Sequence, residues 1–361
     1  VPLHAAGGAT APSGYSRRME YDREGPQLPT ARGPVSEAVG AHLLGTGPLP
    51  SPEAVAAAPV YGDDLQLALY QCYELHYRGF AGVRPDLEWD PGLLGVRAGL
   101  ERRFLAALRA GTPVHDSVAD AVGALLVEPV HGKGVSHFLR DEGELWQLRE
   151  YAAQRSLYHL KEADPHAWVL PRLWGRAKAA MAAVEFDEYG GGRADRVHAR
   201  LFADLMTDLD LDTTYGAHLD AASAECLATV NMMSLFGLHR SLRGALVGHF
   251  AAVEITSSPG SRRLAEAMRR TGAGPAAEHF YDEHVEADAV HEQIVRHEVI
   301  DGLLEQEPQL AADVVFGIDA TGYLEERLGA RLLADWRAGR SSLRTPLPAP
   351  RRTQGEISHI S

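Results

Sequence analysis

The residues best placed to do chemistry lie in YDEHVEADAVHEQIVRHEVIDGLL, where His284, Asp288 and His291 read His-x-x-x-Asp-x-x-His. On a helix these stand at i, i+4 and i+7, so all three side chains leave from one face. Two imidazoles and one carboxylate on a single stripe suit a first-row transition metal. No Pro or Gly interrupts Tyr281 to Ile300, and the residue types favour helix. The competing reading is plain: a helical histidine is commonly a surface or capping residue, and the chain holds 17 histidines.

One stripe cannot surround an ion, so facing helices must supply further ligands. Glu254 follows the apolar run FAAV, an unfavourable place for a carboxylate that is neither paired nor ligated. Otherwise it is a surface residue at a helix end. Glu188 and His198 flank the Gly190–Gly192 break, and Glu162 closes a helix just before Asp164-Pro165. Glu74 and His76 lie two apart, do not share a helix face, and read as polar core or rim residues.

The elements that must position these residues are all helical. With 361 residues and 45% hydrophobic content, the chain is long enough for one large domain or two modest ones. Apolar residues recur at helical spacing in DDLQLALYQCYELHYRGF, LLGVRAGLERRFLAALRA, ELWQLREYAAQRSLYHLKEA and LAADVVFGIDATGYLEERLGARLLADW. No alternating strand pattern and no internal repeat is present. The stretch HGKGVSHFL reads as a junction. A helix from Asp164-Pro165 is expected to run on through HAWVLPRLWGRAKAAMAAVEFDEYG with a bend at Pro171. Ser257 to Gly260 are expected to break the chain before SRRLAEAMRR. The Gly-, Pro- and Ser-rich residues 1–35 read as a disordered tail, and the polar, Pro-rich residues 341–361 as a flexible one.

Composition excludes several classes of function. A net charge of −14, with no dense Lys/Arg cluster, argues against nucleic acid. No apolar run approaches the ~20 residues that span a bilayer. The N-terminus lacks a charged segment followed by an apolar core, so no secretory signal is expected. Cys72 and Cys226 read as free, buried thiols, and the expected location is the cytoplasm. The single GGG has no preceding strand and no following GK[ST], so it is not a phosphate loop.

The order Glu162, His198, Glu254 and then His284, Asp288, His291 resembles the haem-oxygenase-like di-iron oxidases and oxygenases, a family of iron-containing redox enzymes. The segments KEADPHAWVLPRLWG and EFDEYGGG resemble that family's second core region. The resemblance covers about residues 140–340. It implies an all-α, haem-oxygenase-like helical bundle over residues 136–340, preceded by a helical extension over residues 36–135. Some members that oxidise nitrogen carry an additional carboxylate before the lone histidine. Glu188 matches that position, and Glu185, one turn earlier, is the alternative.

The implied cofactors are two iron ions, cycling between Fe(II) and Fe(III), with O2 as co-substrate. The implied chemistry is oxygenation of an amine on a small amino-acid-like metabolite. Oxidative C–C or C–H cleavage of an amino acid or a fatty acid by the same site is the second reading. A metal-free binding protein of the same fold is the third. A fatty acid needs a long apolar tunnel, whereas an amino acid needs an Arg or Lys near the irons. Arg193, Arg196 and Arg240 are the candidates for that anchor. No flavin or nicotinamide fingerprint is present, so an external electron donor would be a small molecule or another protein. Exposed apolar helix faces make a homodimer a further expectation.

Overall fold

Apolar residues spaced three and four apart force each amphipathic stretch to form a helix and bury its stripe against a neighbour. The computed structural model describes residues 25–127 and 132–349, apart from the side chains of Glu286, Asp288 and Ala289. Among these residues every regular element is helical, and the fold is all-α.

The N-terminal part holds α1 (Pro34–Leu43), α2 (Pro52–Ala57), α3 (Asp63–Glu74), α4 (Pro91–Gly111) and α5 (Val118–Leu125). Next come α6 (Val135–Asp141), α7 (Leu145–His159), α8 (Asp164–Ala167), α9 (Gly175–Glu188) and α10 (His198–Asp208). The remainder is α11 (Ala224–Leu238), α12 (Arg243–Thr271), α13 (Pro275–Ile294), α14 (Asp301–Gln306) and α15 (Ala311–Arg337). A π-helical turn, Val295–Ile300, joins α13 to α14 without a break.

The long helix α12 packs along both α13 and α15. Against α15 it comes unusually close. A Cβ on Gly248 would stand 2.0 Å from the Val314 carbonyl oxygen, and one on Gly317 would stand 2.0 Å from that of Ala245. Only glycine at both positions lets the two backbones touch.

The N-terminal helices join the same core through α3, which packs on α11. At its end Glu74 accepts from Lys161 Nζ at 3.0 Å, and both side chains are buried. Tyr215 donates to the other Glu74 oxygen at 2.7 Å. The ammonium also lies 4.2 Å from the Tyr77 ring centre and 4.9 Å from that of Tyr70. This pair ties the first helices to the turn that carries Glu162.

Several local expectations change. Residues 1–24 lie outside the described residues, but from Gly25 the expected tail is held in place. Thr30 donates through its amide (2.9 Å) and its hydroxyl (3.0 Å) to Asp220, and Arg32 donates to the Leu219 carbonyl at 2.7 Å. At the other end, Ser342 is buried and donates to Glu150 through its amide (2.9 Å) and hydroxyl (2.8 Å), while residues 350–361 lie outside the described residues. Residues 128–131, which include the first residue of the expected junction HGKGVSHFL, are also outside them, but the rest of that stretch enters the helix Val135–Asp141.

The expected helix from Asp164 to Tyr189 is broken. Pro171 lacks an amide proton and sits in a 3-10 turn, and Gly175, at φ 58°, starts a separate helix. Conversely, no break occurs at Ser257 to Gly260. Helix α12 runs through Pro259, which forfeits one backbone bond, a cost of roughly 3 kcal/mol in an isolated helix. Packing on α13 and α15 along its length outweighs that loss. No helix among the described residues is long and apolar enough to cross a membrane.

Removing Lys161 from its buried pair strands the Glu74 carboxylate. Lys161→Met is expected to lower stability by about 3–5 kcal/mol in urea titrations. A loss within error of zero would show that the pair does not hold the extension to the core.

Candidate metal centre

Local structure explains how the candidate side chains meet. Helix α9 ends at Glu188, and α10 begins at His198. Between them Gly190, Gly191 and Gly192 take φ of 76°, 60° and 81°, a left-handed run that L side chains rarely adopt. A Cβ on Gly190 would also meet the Val197 amide nitrogen at 2.7 Å. The tight reversal brings the Glu188 carboxylate to 2.7 Å from His198 Nδ1. Glu162 stands in the turn after α7, Glu254 in the middle of α12, and His284 and His291 on one face of α13.

Two buried groupings of ligand-type side chains result. Glu162, Glu188, His198 and His284 each offer one ligand atom, all within 4.8 Å of one another. Glu188, Glu254 and His291 do the same. Glu188 belongs to both. Asp288 lies on α13 between the two histidines, but its side chain is outside the described residues. Glu185, the alternative to Glu188, is in neither grouping.

Hydrogen bonds around these side chains select which nitrogen faces inward. His284 donates through Nδ1 to the Phe280 carbonyl at 2.7 Å, which leaves Nε2 with its lone pair. That Nε2 is buried and has no hydrogen-bond partner among the described residues. His291 faces Asp187 through Nε2 at 3.3 Å, so its Nδ1 turns toward Glu254 (3.1 Å) and Glu188 (3.8 Å). His159 lies 2.8 Å from Glu162 through Nδ1 and is stacked on Phe202, an arrangement that holds the carboxylate in one orientation.

The electrostatics suit a cation. Burial works to raise the Glu162 pKa, yet His159, by charge and hydrogen bond, together with His284 and His198, pulls it down to about 2. Glu185 has no such help: burial first, then the Glu188 and Glu254 charges, push it up to about 9. Both of its oxygens are buried without a hydrogen-bond partner among the described residues. Crowded carboxylates facing imidazoles form a donor set that fits iron, and a bound cation would relieve the repulsion among them.

A cavity of about 570 Å³ opens onto the centre. Glu162, Glu188, Glu254 and His284 form part of its wall, and Arg155, Glu325 and Lys133 line it as well. Arg155 holds Glu325 through two hydrogen bonds of 2.8 and 2.5 Å. The three arginines expected from the sequence do not reach it. Arg193 pairs with Asp195 at 2.9 Å, Arg196 with Glu283 at 2.6 Å, and Arg240 is exposed. Sequence reasoning also missed His159 and Asp187. The first carried a usable signal, since it precedes Glu162 by three residues and so shares its side of the helix end.

The Glu185 shift has a testable sign. In the metal-free protein its folded pKa lies above the unfolded value of 4.5, so the stability it allows below that pH is lost as the pH rises toward about 9. Glu185→Gln removes this ionisation. Its stability relative to the parent, read from urea titrations, should climb between pH 5 and pH 9 by up to about 1.4 kcal/mol per pH unit. A difference independent of pH would contradict the assignment.

A search of curated proteins finds no match to the chain. A family model described as iron-containing redox enzyme matches residues 149–326. The matched segment runs from α7 to α15 and includes every residue of both groupings. Over residues 149–326 the chain belongs to the iron-containing redox enzyme family, and it is an iron-dependent oxidoreductase.

Proposed function

We propose that this protein is a non-haem di-iron oxygenase that uses O2 to oxygenate an amine nitrogen of a small amino-acid-like metabolite. The observation that carries the reading is Glu188, a carboxylate common to two buried groupings. A two-oxygen side chain in that position is suited to bridge two ions. Glu162, His198 and His284 would complete the first site, and Glu254 and His291, with Asp288 from the family resemblance, the second. When bound, the irons supply redox equivalents and open coordination positions for O2. In the overall reaction one oxygen atom enters an N–H bond to give N–OH. The other leaves as water, with two electrons and two protons from an external donor.

The protein's own groups orient and exclude. His159 and the Phe280 carbonyl fix the ligand side chains before any ion arrives, which limits reorganisation on binding. The Tyr158 hydroxyl keeps its proton. Burial, then the Glu162 and Glu188 charges, hold its pKa well above the usual tyrosine range, so it stands beside the centre as a hydrogen-bond donor. Arg155 in the cavity wall has both Nη atoms on Glu325, and its Nε, without a hydrogen-bond partner among the described residues, is the donor left for the carboxylate of an amino acid. Charged side chains in that wall disfavour a fatty acid. Oxidation at carbon by the same centre is the remaining alternative, and product analysis separates it.

The first test is anaerobic loading with Fe(II) and an iron count. Two irons per chain are expected in the parent, about one in Glu254→Ala, and almost none in Glu188→Ala, because Glu188 serves both sites. One iron in the parent would sink the di-iron reading. For amino-acid substrates, Arg155→Met should raise KM by about tenfold or more with iron content unchanged. Nitrogen oxygenation predicts hydroxylamine or further oxidised nitrogen in the product. Carbon-centred products would replace it by the alternative.

A further inference from the structure

Besides Nε2 of His284, the cavity wall contains four buried polar atoms without a hydrogen-bond partner among the described residues: Nε of Arg155, Nε2 of His166, Nε2 of His249 and the Tyr281 hydroxyl. None of the four belongs to the metal groupings. The tautomer of His249 follows from its neighbour. Thr321 Oγ1 lies 2.7 Å from the Gly317 carbonyl and 2.8 Å from His249 Nδ1. A carbonyl cannot donate, so the hydroxyl proton points at Gly317, and the Thr321 oxygen accepts from His249 Nδ1–H. The opposite arrangement would leave two oxygens 2.7 Å apart with no proton between them. A neutral imidazole protonated on Nδ1 presents a bare lone pair at Nε2. Burial, with His166 beside it, holds the His249 pKa well below the usual histidine range, so the ring stays neutral. His249 is therefore a fixed acceptor on a cavity wall, and within that wall it has nothing to accept from.

We propose that His249 Nε2 accepts a hydrogen bond from the side chain of the bound amino acid, and so selects substrates whose side chain carries an N–H or O–H group. The inference rests on the reading of the cavity as an amino-acid site. Its role is recognition. Among the described residues His249 belongs to neither metal grouping, and its hydrogen-bond partner Thr321 comes from α15, across the seam from α12. A methyl group in place of the donor leaves the acceptor unsatisfied, which is how a polar pocket rejects an apolar isostere.

The test uses the full chain loaded with Zn(II) as a diamagnetic stand-in, with ¹⁵N-labelled histidine. The probes are two pairs that differ at the donor: L-lysine against its isostere L-2-aminoheptanoate, and L-tyrosine against L-phenylalanine, which lacks the hydroxyl. Three results are expected. The free protein shows His249 protonated on Nδ1. At least one donor-bearing probe binds about tenfold more tightly than its counterpart and shifts the Nε2 resonance. His249→Leu abolishes that preference, whereas His249→Gln, which keeps an acceptor, retains part of it. A proton on Nε2 in the free protein overturns the proposal. So does tight binding of a donor-bearing probe with no change at Nε2, which leaves the amino-acid reading intact. Failure of all four probes to bind overturns the amino-acid reading and this proposal with it.

Discussion

The arrangement of the core is governed by the burial of several carboxylates in one place. Glu162, Glu185 and Glu188 form no ion pair with a lysine or arginine among the described residues. The groups facing Glu162 and Glu188 are imidazoles, which are acceptors or weak bases rather than permanent cations. Mutual repulsion at low dielectric is expensive, and a fold tolerates it where an ion is due to arrive. The two resulting habits are visible in one helix. Glu188, buried at the end of α9, belongs to both groupings, and Glu185, one turn back, is driven toward its neutral form.

Such a centre needs rigid surroundings, and the N-terminal helices contribute them. Lys161 precedes Glu162 by one residue, yet its ammonium is committed to Glu74 and to the faces of two tyrosines. The only lysine adjacent in sequence to a ligand-type carboxylate is thus kept away from it, and the turn is pinned from the opposite side. On the far side of the centre, a π-helical turn follows directly after the helix that carries His284 and His291. Insertions of this kind re-aim the residues after them without ending the helix.

That His284 and His291 share one face was legible because the geometry is local and needs only the helix, whereas the Asp288 side chain lies outside the described residues. Glu162, His198 and Glu254 were legible through their order along the chain, which a family resemblance can carry. Glu188 had a signal too, but the choice between it and Glu185 depends on where α9 stops, and three left-handed glycines decide that. Proline misled in both directions. At Pro171 the chain breaks with Gly175 close behind, whereas at Pro259 the long packed faces of α12 carry the helix through. Which arginine lines the cavity could not be read, since exposed Arg193 and half-buried Arg155 differ in tertiary environment and not in sequence pattern. Contacts such as Glu74 with Lys161 join residues far apart in the chain and are set by packing alone.

The glycine seam between α12 and α15 has a consequence for how this protein could change its diet. Gly248 and Gly317 leave no side chain at the crossing, so neither helix can be eased outward by trimming a residue, and any added carbon collides with backbone. The wall carrying His249, Thr321 and Glu325 is accordingly a fixed template. Met232 and Met233 line the same cavity from α11, and methionine is the most deformable of apolar side chains. A lineage adapting to a bulkier or slimmer metabolite would rewrite α11 and leave the seam untouched. Selection in the laboratory should meet the same division between a mutable lining and an immutable frame.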